Sequence, residues 1–560
     1  MDPADFESLL DDYVAAVFVM SPVRATSLGV AGHDHLLSDR SEAGIREERA
    51  ALDAWAARIA AVEPAALTPD QRIDRDLVLT SLRHRQLVRE RDGYKRSPTL
   101  YVNEGLAGVS TLFVNRPGPD EELVAAATAR MRAIPTVLAN GAQQLDAAVA
   151  SPLACERGAR LAASARDYFR HRLPLEVDHA DLAGQLATEG EVVARAYDRF
   201  HDDMTRLAAD ATGDWRYGNA LYSAVLTECE LLPFDAAELL ERGRAAYEQA
   251  RAELDAARRD VGASARRHLA SLEPLASVQD RLSYLQDRVD AARDFCADHH
   301  LVTLPADEIC VVRAMPAHHR AVSAVAGYRQ APPLAADLEP PAAGALLVPG
   351  PRRRRDGRVW NGRAAGSDSM VTHEAYPGHH VHLSRARQHR RPVRHLHGSS
   401  FLREGWGLYS EKLMHDHGFF SDPVEHLAHL RSVCFRAARI VLDVGLHTGA
   451  LDPAAAVAFM RSELRSTAET ARLEVERYCS NPIQAVSYYA GCLAVEEMRD
   501  RYVARPGASL LDFHDRLTAA GSLPLELADR SLYGADERTA TGTRSAYLAA
   551  SGPAIAVKST

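Results

Sequence analysis

At 560 residues and 61.1 kDa the chain exceeds the size at which one hydrophobic core keeps growing, so it forms several domains or one large unit divided into lobes. A composition of 46% hydrophobic and 25% charged residues excludes a disordered chain. With 66 Lys and Arg against 76 Asp and Glu the net charge is −10, which argues against a dedicated nucleic-acid or anionic-membrane binder. None of the seven cysteines forms a C-x-x-C pair, so neither a disulfide framework nor a zinc knuckle is indicated. Residues 1–7 are acidic where a signal peptide is basic, and apolar stretches such as 13–20 reach less than half a membrane span. The expectation is a soluble protein of the reducing cytoplasm, with no membrane or nucleic-acid partner and its oligomeric state open.

From the N-terminus onward most of the sequence carries a helical period. Residues 47–62, 123–149 and 236–259 repeat Ala, Leu and Val at three and four spacing, with Arg, Asp and Glu between them. A mainly α protein follows. Two regions read as extended or looped. Residues 98–117 mix β-branched and aromatic residues with Gly, Asn and Pro, and 330–370 hold turn signals around short apolar runs such as 345–348. A small β-hairpin is expected in the second, with Arg352, Arg353, Arg354 and Arg355 at its tip. Turn residues at 210–218 divide an N-terminal helical lobe, 1–210, from a C-terminal helical lobe, 211–560.

The histidines are unevenly spread. Residues 351–450 hold 12 of 24, where an even distribution would give about four. At their centre stands His373-Glu374-Ala375-Tyr376-Pro377-Gly378-His379-His380. A His-Glu pair on a helix followed by a His one turn later is a metalloprotease arrangement, in which the imidazoles hold zinc and the Glu takes a proton from the metal-bound water. The usual second His falls at +4, and here that position is Pro377. On a straight helix His379 would lie about 240° round from His373, on the wrong side. Pro377 breaks the helical bonding, so a bulge or restart at Pro377-Gly378 can return His379 to the metal. His379 is the preferred ligand and His380 its rival.

Three downstream segments carry further candidates. In the first, Glu404 and Glu411 flank Gly405-Trp406-Gly407 and share a helical face, so one could bind metal while the other orients an imidazole. In the second, Arg436, Arg439, Asp443 and His447 form a narrow polar stripe on an otherwise apolar helix, facing a polar cleft or tying two helices together. The third opens with Asn481 as N-cap and Pro482 at N1, and aligns Gln484, Tyr488 and Gly491 on one face. The Tyr488 hydroxyl there suits either an oxyanion or a core.

In this order the four segments resemble the bacterial family called domain of unknown function 885, with its H-E-x-x-P-G-H-H, E-G-W-x-L-Y-x-E, R-A-x-R-x-V-x-D-x-G-L-H and P-x-Q-x-x-S-Y-x-x-G blocks. Weaker similarity runs through Arg130–Pro135 and Gly218–Tyr222. The resemblance implies a two-lobed helical fold with a deep cleft, similar to helical zinc carboxypeptidases and oligopeptidases. It implies His373, His379 and Glu404 as metal ligands and Glu374 as base. His382 and Gly407 depart from the residues the family usually carries there, Gln and Ala.

The expected function is therefore a hydrolase that cleaves peptide or amide bonds of short peptides with one zinc ion, or another divalent metal. Tyr488 or His447 would stabilise the oxyanion, Arg436 or Arg439 would anchor a substrate carboxylate, and Glu411 and Asp443 would support the ligands from behind. The alternatives are hydrolysis or acyl transfer on a small non-standard amide, and a non-catalytic binding protein that retains the fold. Residues 351–400 carry 11 Arg against three acids, and that local sign, if it lines the cleft, favours ligands with a free carboxylate.

Overall fold

The computed structural model describes residues 3–271, 275, 277–306, 308–315, 326–335, 343–350, 352–353, 359–360 and 366–533. It is mainly helical, as expected, with a small three-stranded sheet. The three windows of helical period fall in the helices Glu42–Ala60, Asp120–Gln144 and Ala236–Ser271. No helix among the described residues is long and apolar enough to cross a membrane.

Residues 98–117 differ from the expectation. They form the helix Pro98–Asn115, with Pro98 in its first turn. The glycines that suggested a loop are packing residues. A Cβ on Gly105 would lie 2.6 Å from the Tyr197 hydroxyl, and one on Gly108 would lie 2.7 Å from Leu37. This helix shares a core with Asp120–Gln144, Pro152–His171 and Ala180–Asp210, built on Tyr101, Leu138, Phe169 and Tyr197.

β1 (Cys310–Ala314) and β2 (Gly327–Arg329) flank β3 (Gly344–Val348), β1 parallel to it and β2 antiparallel. The expected hairpin is present as β4 (Arg352–Arg353) against β5 (Val359–Trp360), with Arg352 opposite Trp360. Its tip, including Arg354 and Arg355, lies outside the described residues. β3 contributes Leu346 and Val348 to the largest core, together with Val371, Trp406, Tyr409, Val444 and Val495 from the helices that carry the histidine motif and its downstream segments.

Two of those helices meet backbone to backbone. Ser400–Asp416 starts at Ser399, whose side chain accepts the Phe401 amide, and crosses Ser487–Val503 at Gly405 and Gly491. A Cβ on Gly491 would stand 2.0 Å from the Phe401 carbonyl oxygen, and one on Gly405 would stand 2.4 Å from Gly491. The second helix starts at Ser487 rather than at Pro482. Residues 481–486 form turns, and Ile483 takes a φ of 72°, which a helix cannot accommodate. The helix Pro423–Thr448 has Asp422 capping two amides at its start and Gly449 at φ 83° at its end.

Candidate metal centre

The first helix of the motif, Ser367–Glu374, stops at Glu374, and a new helix, His379–Arg387, begins at His379. The interruption expected at Pro377-Gly378 is therefore a full restart. Gly378 lies so close beneath the first helix that a Cβ would come within 1.9 Å of the His373 carbonyl oxygen. Trp406, fully buried, donates its indole N–H to the carbonyls of Pro377 at 2.9 Å and Gly378 at 3.2 Å, fixing the turn from outside.

This restart brings His379 back to His373. Glu404 Oε2 lies 3.5 Å from His373 Nε2 and 3.4 Å from His379 Nε2, and the three candidate ligand atoms lie within 4.8 Å of one another. Metal bonds of about 2.1 Å at tetrahedral angles separate ligand atoms by about 3.4 Å, so the trio suits one zinc-sized ion. It is the only group of three or more such ligand atoms among the described residues.

Glu411, wholly buried, accepts the Nδ1–H of His373 at 2.9 Å, which leaves Nε2 free to face Glu404. The same carboxylate pairs with Arg436 at 2.9 Å and accepts the Ser369 hydroxyl. Burial pushes the His373 imidazole down, but Glu404 and Glu411 outweigh it and hold it at about 9. Burial likewise pushes Glu404 up, and His373 and His379 hold it well below the carboxylate range. The pocket is thus strongly favourable to positive charge.

Glu374 borders the trio. Its carboxyl is pushed up by burial against the pull of His379 and His373, and its Oε2 has no hydrogen-bond partner among the described residues. Tyr488 stacks on His373 with ring centroids 6.0 Å apart at 15°, and its hydroxyl accepts from Gln484 at 3.2 Å.

The remaining candidates have other surroundings. Of His380's two ring nitrogens, Nε2 meets Glu308 and Nδ1 meets the Tyr328 hydroxyl at 3.0 Å, so the rival ligand points away from the trio. Arg436 is held by Glu411, and Arg439 by Glu474 at 3.1 Å beneath the Tyr488 ring. Asp443 accepts from the Tyr222 hydroxyl at 2.6 Å and the Ile483 amide at 3.0 Å. His447 accepts the Tyr217 amide at Nδ1, 3.3 Å, and donates from Nε2 to the Tyr478 carbonyl at 3.0 Å. Both nitrogens of His447 are committed to joining segments, and it stands outside the trio's contacts.

A cavity of about 1080 Å³ opens on His373, Glu374 and Tyr488. Arg258, Arg266, Arg281, Arg431 and Arg465 join Arg436 and Arg439 in its wall, and Glu374 is its only acid among the described residues. The wall is basic, and among the described residues its arginines come from outside 351–400. From the basic run after the motif, Arg385 pairs with Asp515 in the helix Leu510–Ala519, while Arg391 and Arg394 are spent on Asp74, Glu7 and Asp70, fastening the run to the N-terminal helices.

Sequence reasoning did not find Ser369, Glu308 or the wall arginines. Ser369 stands four residues before His373, a spacing that could have marked it. Glu308 and Tyr328 reach His380 through the sheet, and no local pattern announces them.

Residues 22–532 match the family model described as "Bacterial protein of unknown function (DUF885)". Among curated proteins none matches. Two solved structures share the fold. One, described as a "putative lipoprotein of unknown function" from Shewanella oneidensis, superposes with a TM-score of 0.74 at 19% identity, covering 94% of this chain and 99% of that one. The other, a "putative lipoprotein" from Colwellia psychrerythraea, superposes with a TM-score of 0.76 at 18% identity, covering 94% and 98%.

Proposed function

We propose that this chain, which belongs to the bacterial family of unknown function DUF885, is a zinc-dependent hydrolase of peptide or amide bonds in short substrates. The observation that carries the reading is the trio of buried His373, buried His379 and half-buried Glu404, beside Glu374, whose buried Oε2 has no partner among the described residues. His373, His379 and Glu404 would hold the ion. When bound, zinc supplies a Lewis acid that polarises a carbonyl and acidifies water.

The chain's own residues do the rest. Glu374, facing the cavity, takes the proton of the attacking water and returns it to the leaving nitrogen. Its burial favours the protonated form, which suits the return step. Tyr488, beside His373 and in the same wall, is the donor for charge developing on the carbonyl oxygen. Arg436 holds Glu411, Arg439 is held by Glu474, and both guanidinium groups flank Tyr488, so they act as positioning residues. The arginine-rich wall favours substrates that carry negative charge.

The test is hydrolysis of a dipeptide and tripeptide library by the full-length protein after zinc loading. The expected result is turnover that chelation abolishes and that Glu374→Gln lowers by at least about 100-fold. No turnover of any library member, or equal turnover by the variant, would rule the reading out.

A further inference from the structure

A second cavity, of about 530 Å³, reaches the trio from a different direction. It shares no lining residue with the large one, and Glu404 lies in its wall. Its cationic groups are Arg24, Arg85 and Arg403, with the imidazoles of His84 and His397 beside them. The acids within reach are already engaged. Glu404 is paired with the two imidazoles, and Glu230 accepts the Ser399 hydroxyl. Glu48 approaches Arg85 at 3.4 Å but also serves Arg40 at 3.3 Å. Arg24 donates to the Leu396 carbonyl, which neutralises nothing. Arg403 has no acid partner among the described residues.

The three guanidinium groups line one cavity, with Arg24 and Arg403 exposed at its rim and Arg85 half-buried. Desolvation in the cavity lowers the pKa of Arg24, and the charges of Arg85 and Arg403 lower it further. Burial pushes His397 down to about 3, again with help from Arg85 and Arg24. Like charges gathered without a counter-ion raise the energy of the free protein, and an anion that enters relieves it. Ser400 and Asn481 add neutral hydrogen-bonding groups to the same wall.

We propose that this cavity is a carboxylate subsite, in which Arg24, Arg85 and Arg403 receive an anionic end of the substrate while its scissile bond lies at the His373–His379–Glu404 centre. Anion binding follows from the cavity alone, whereas the identification of the anion as part of a substrate rests on the hydrolase reading. The carboxylate belongs to a peptide C-terminus or to an acidic side chain.

Calorimetry on full-length Glu374→Gln protein tests the proposal, with and without zinc, using three probes. N-acetyl-Gly-Gly carries a terminal carboxylate, its amide carries none, and N-acetyl-Gly-Glu amide carries one on a side chain. At least one carboxylate probe is expected to bind about tenfold tighter than the neutral amide. Which acid probe wins identifies the source of the carboxylate. In the double variant Arg85→Met/Arg403→Met the gap should fall below about twofold. Arg83→Met, at an exposed partner of Glu228 outside the cavity, should leave it intact. Equal binding of acid and amide probes, or a gap that survives the double variant in protein with an unchanged melting temperature, would overturn the subsite. A gap in protein that takes up no zinc even when zinc is supplied upholds the subsite and counts against the hydrolase reading instead.

Discussion

Glu411 never approaches the candidate ion, yet it decides which His373 nitrogen can bind one. Accepting Nδ1–H fixes the tautomer, and Arg436 and Ser369 fix the carboxylate in turn. Glu411→Gln should therefore lower zinc affinity by about 10–100-fold, measured by competition with a fluorescent chelator, while Glu374→Gln changes it little. A second residue makes a pH prediction away from the centre. Burial raises Glu230 to about 7 from an ordinary 4.5, against the opposing hydrogen bond from Ser399. A carboxyl that is harder to ionise when folded favours the native state at low pH, and that contribution is lost as pH rises from about 4.5 through 7. Relative to Glu230→Gln, the wild type should lose about 2 kcal/mol between pH 4.5 and 8 in thermal melts. At this scale the sequence was a good guide wherever chemistry follows local pattern. His373, Glu374 and the preference for His379 were legible from spacing and residue type, whereas only the family resemblance separated Glu404 from Glu411. His447 shows the limit: its stripe on the helix was real, but its partners, Tyr217 and Tyr478, come from 230 and 31 residues away.

At the level of elements, the site depends on one restarted helix and one close helix crossing. Trp406 bridges them, buried in the core while its N–H holds the Pro377 and Gly378 carbonyls. Trp406→Phe keeps most of the apolar volume but strands those buried carbonyls, at about 1–3 kcal/mol, so it should lower the melting temperature and loosen zinc together. Gly491→Ala drives a methyl into the Phe401 carbonyl and should cost about 1–3 kcal/mol by separating Ser400–Asp416 from Ser487–Val503. Denaturant melts measure both. Close packing elsewhere explains a misreading. Glycine, asparagine and proline in 98–117 looked like a loop, yet Gly105 and Gly108 sit where the side chains of Tyr197 and Leu37 press against the helix. Periodicity marks which face is apolar, but it does not say how near the next backbone lies. The interruption at Pro377-Gly378 was legible because proline acts within its own turn.

For the whole molecule, the net charge of −10 conceals a division of labour among the arginines. Those of the basic run after the motif, Arg391 and Arg394, join the C-terminal part of the chain to Asp74 near its start. Those that face the two cavities come from distant segments: Arg24, Arg85, Arg258, Arg281, Arg403 and Arg431. No window of sequence contains that wall, so local charge could not name these arginines. A centre that exists only in the folded chain also couples metal to stability, so saturating zinc at about 100 times its dissociation constant should add about 2.7 kcal/mol, and a chelator should remove it. In the proposed hydrolase His373, His379 and Glu404 together hold a metal ion. Zinc stoichiometry by elemental analysis of the dialysed full-length protein, beside His379→Ala and His380→Ala, tests it most directly. One zinc per chain in the wild type and in His380→Ala, with almost none in His379→Ala, is the predicted result. A wild type that takes up no zinc, or a His379→Ala protein that keeps it while His380→Ala loses it, would contradict the account.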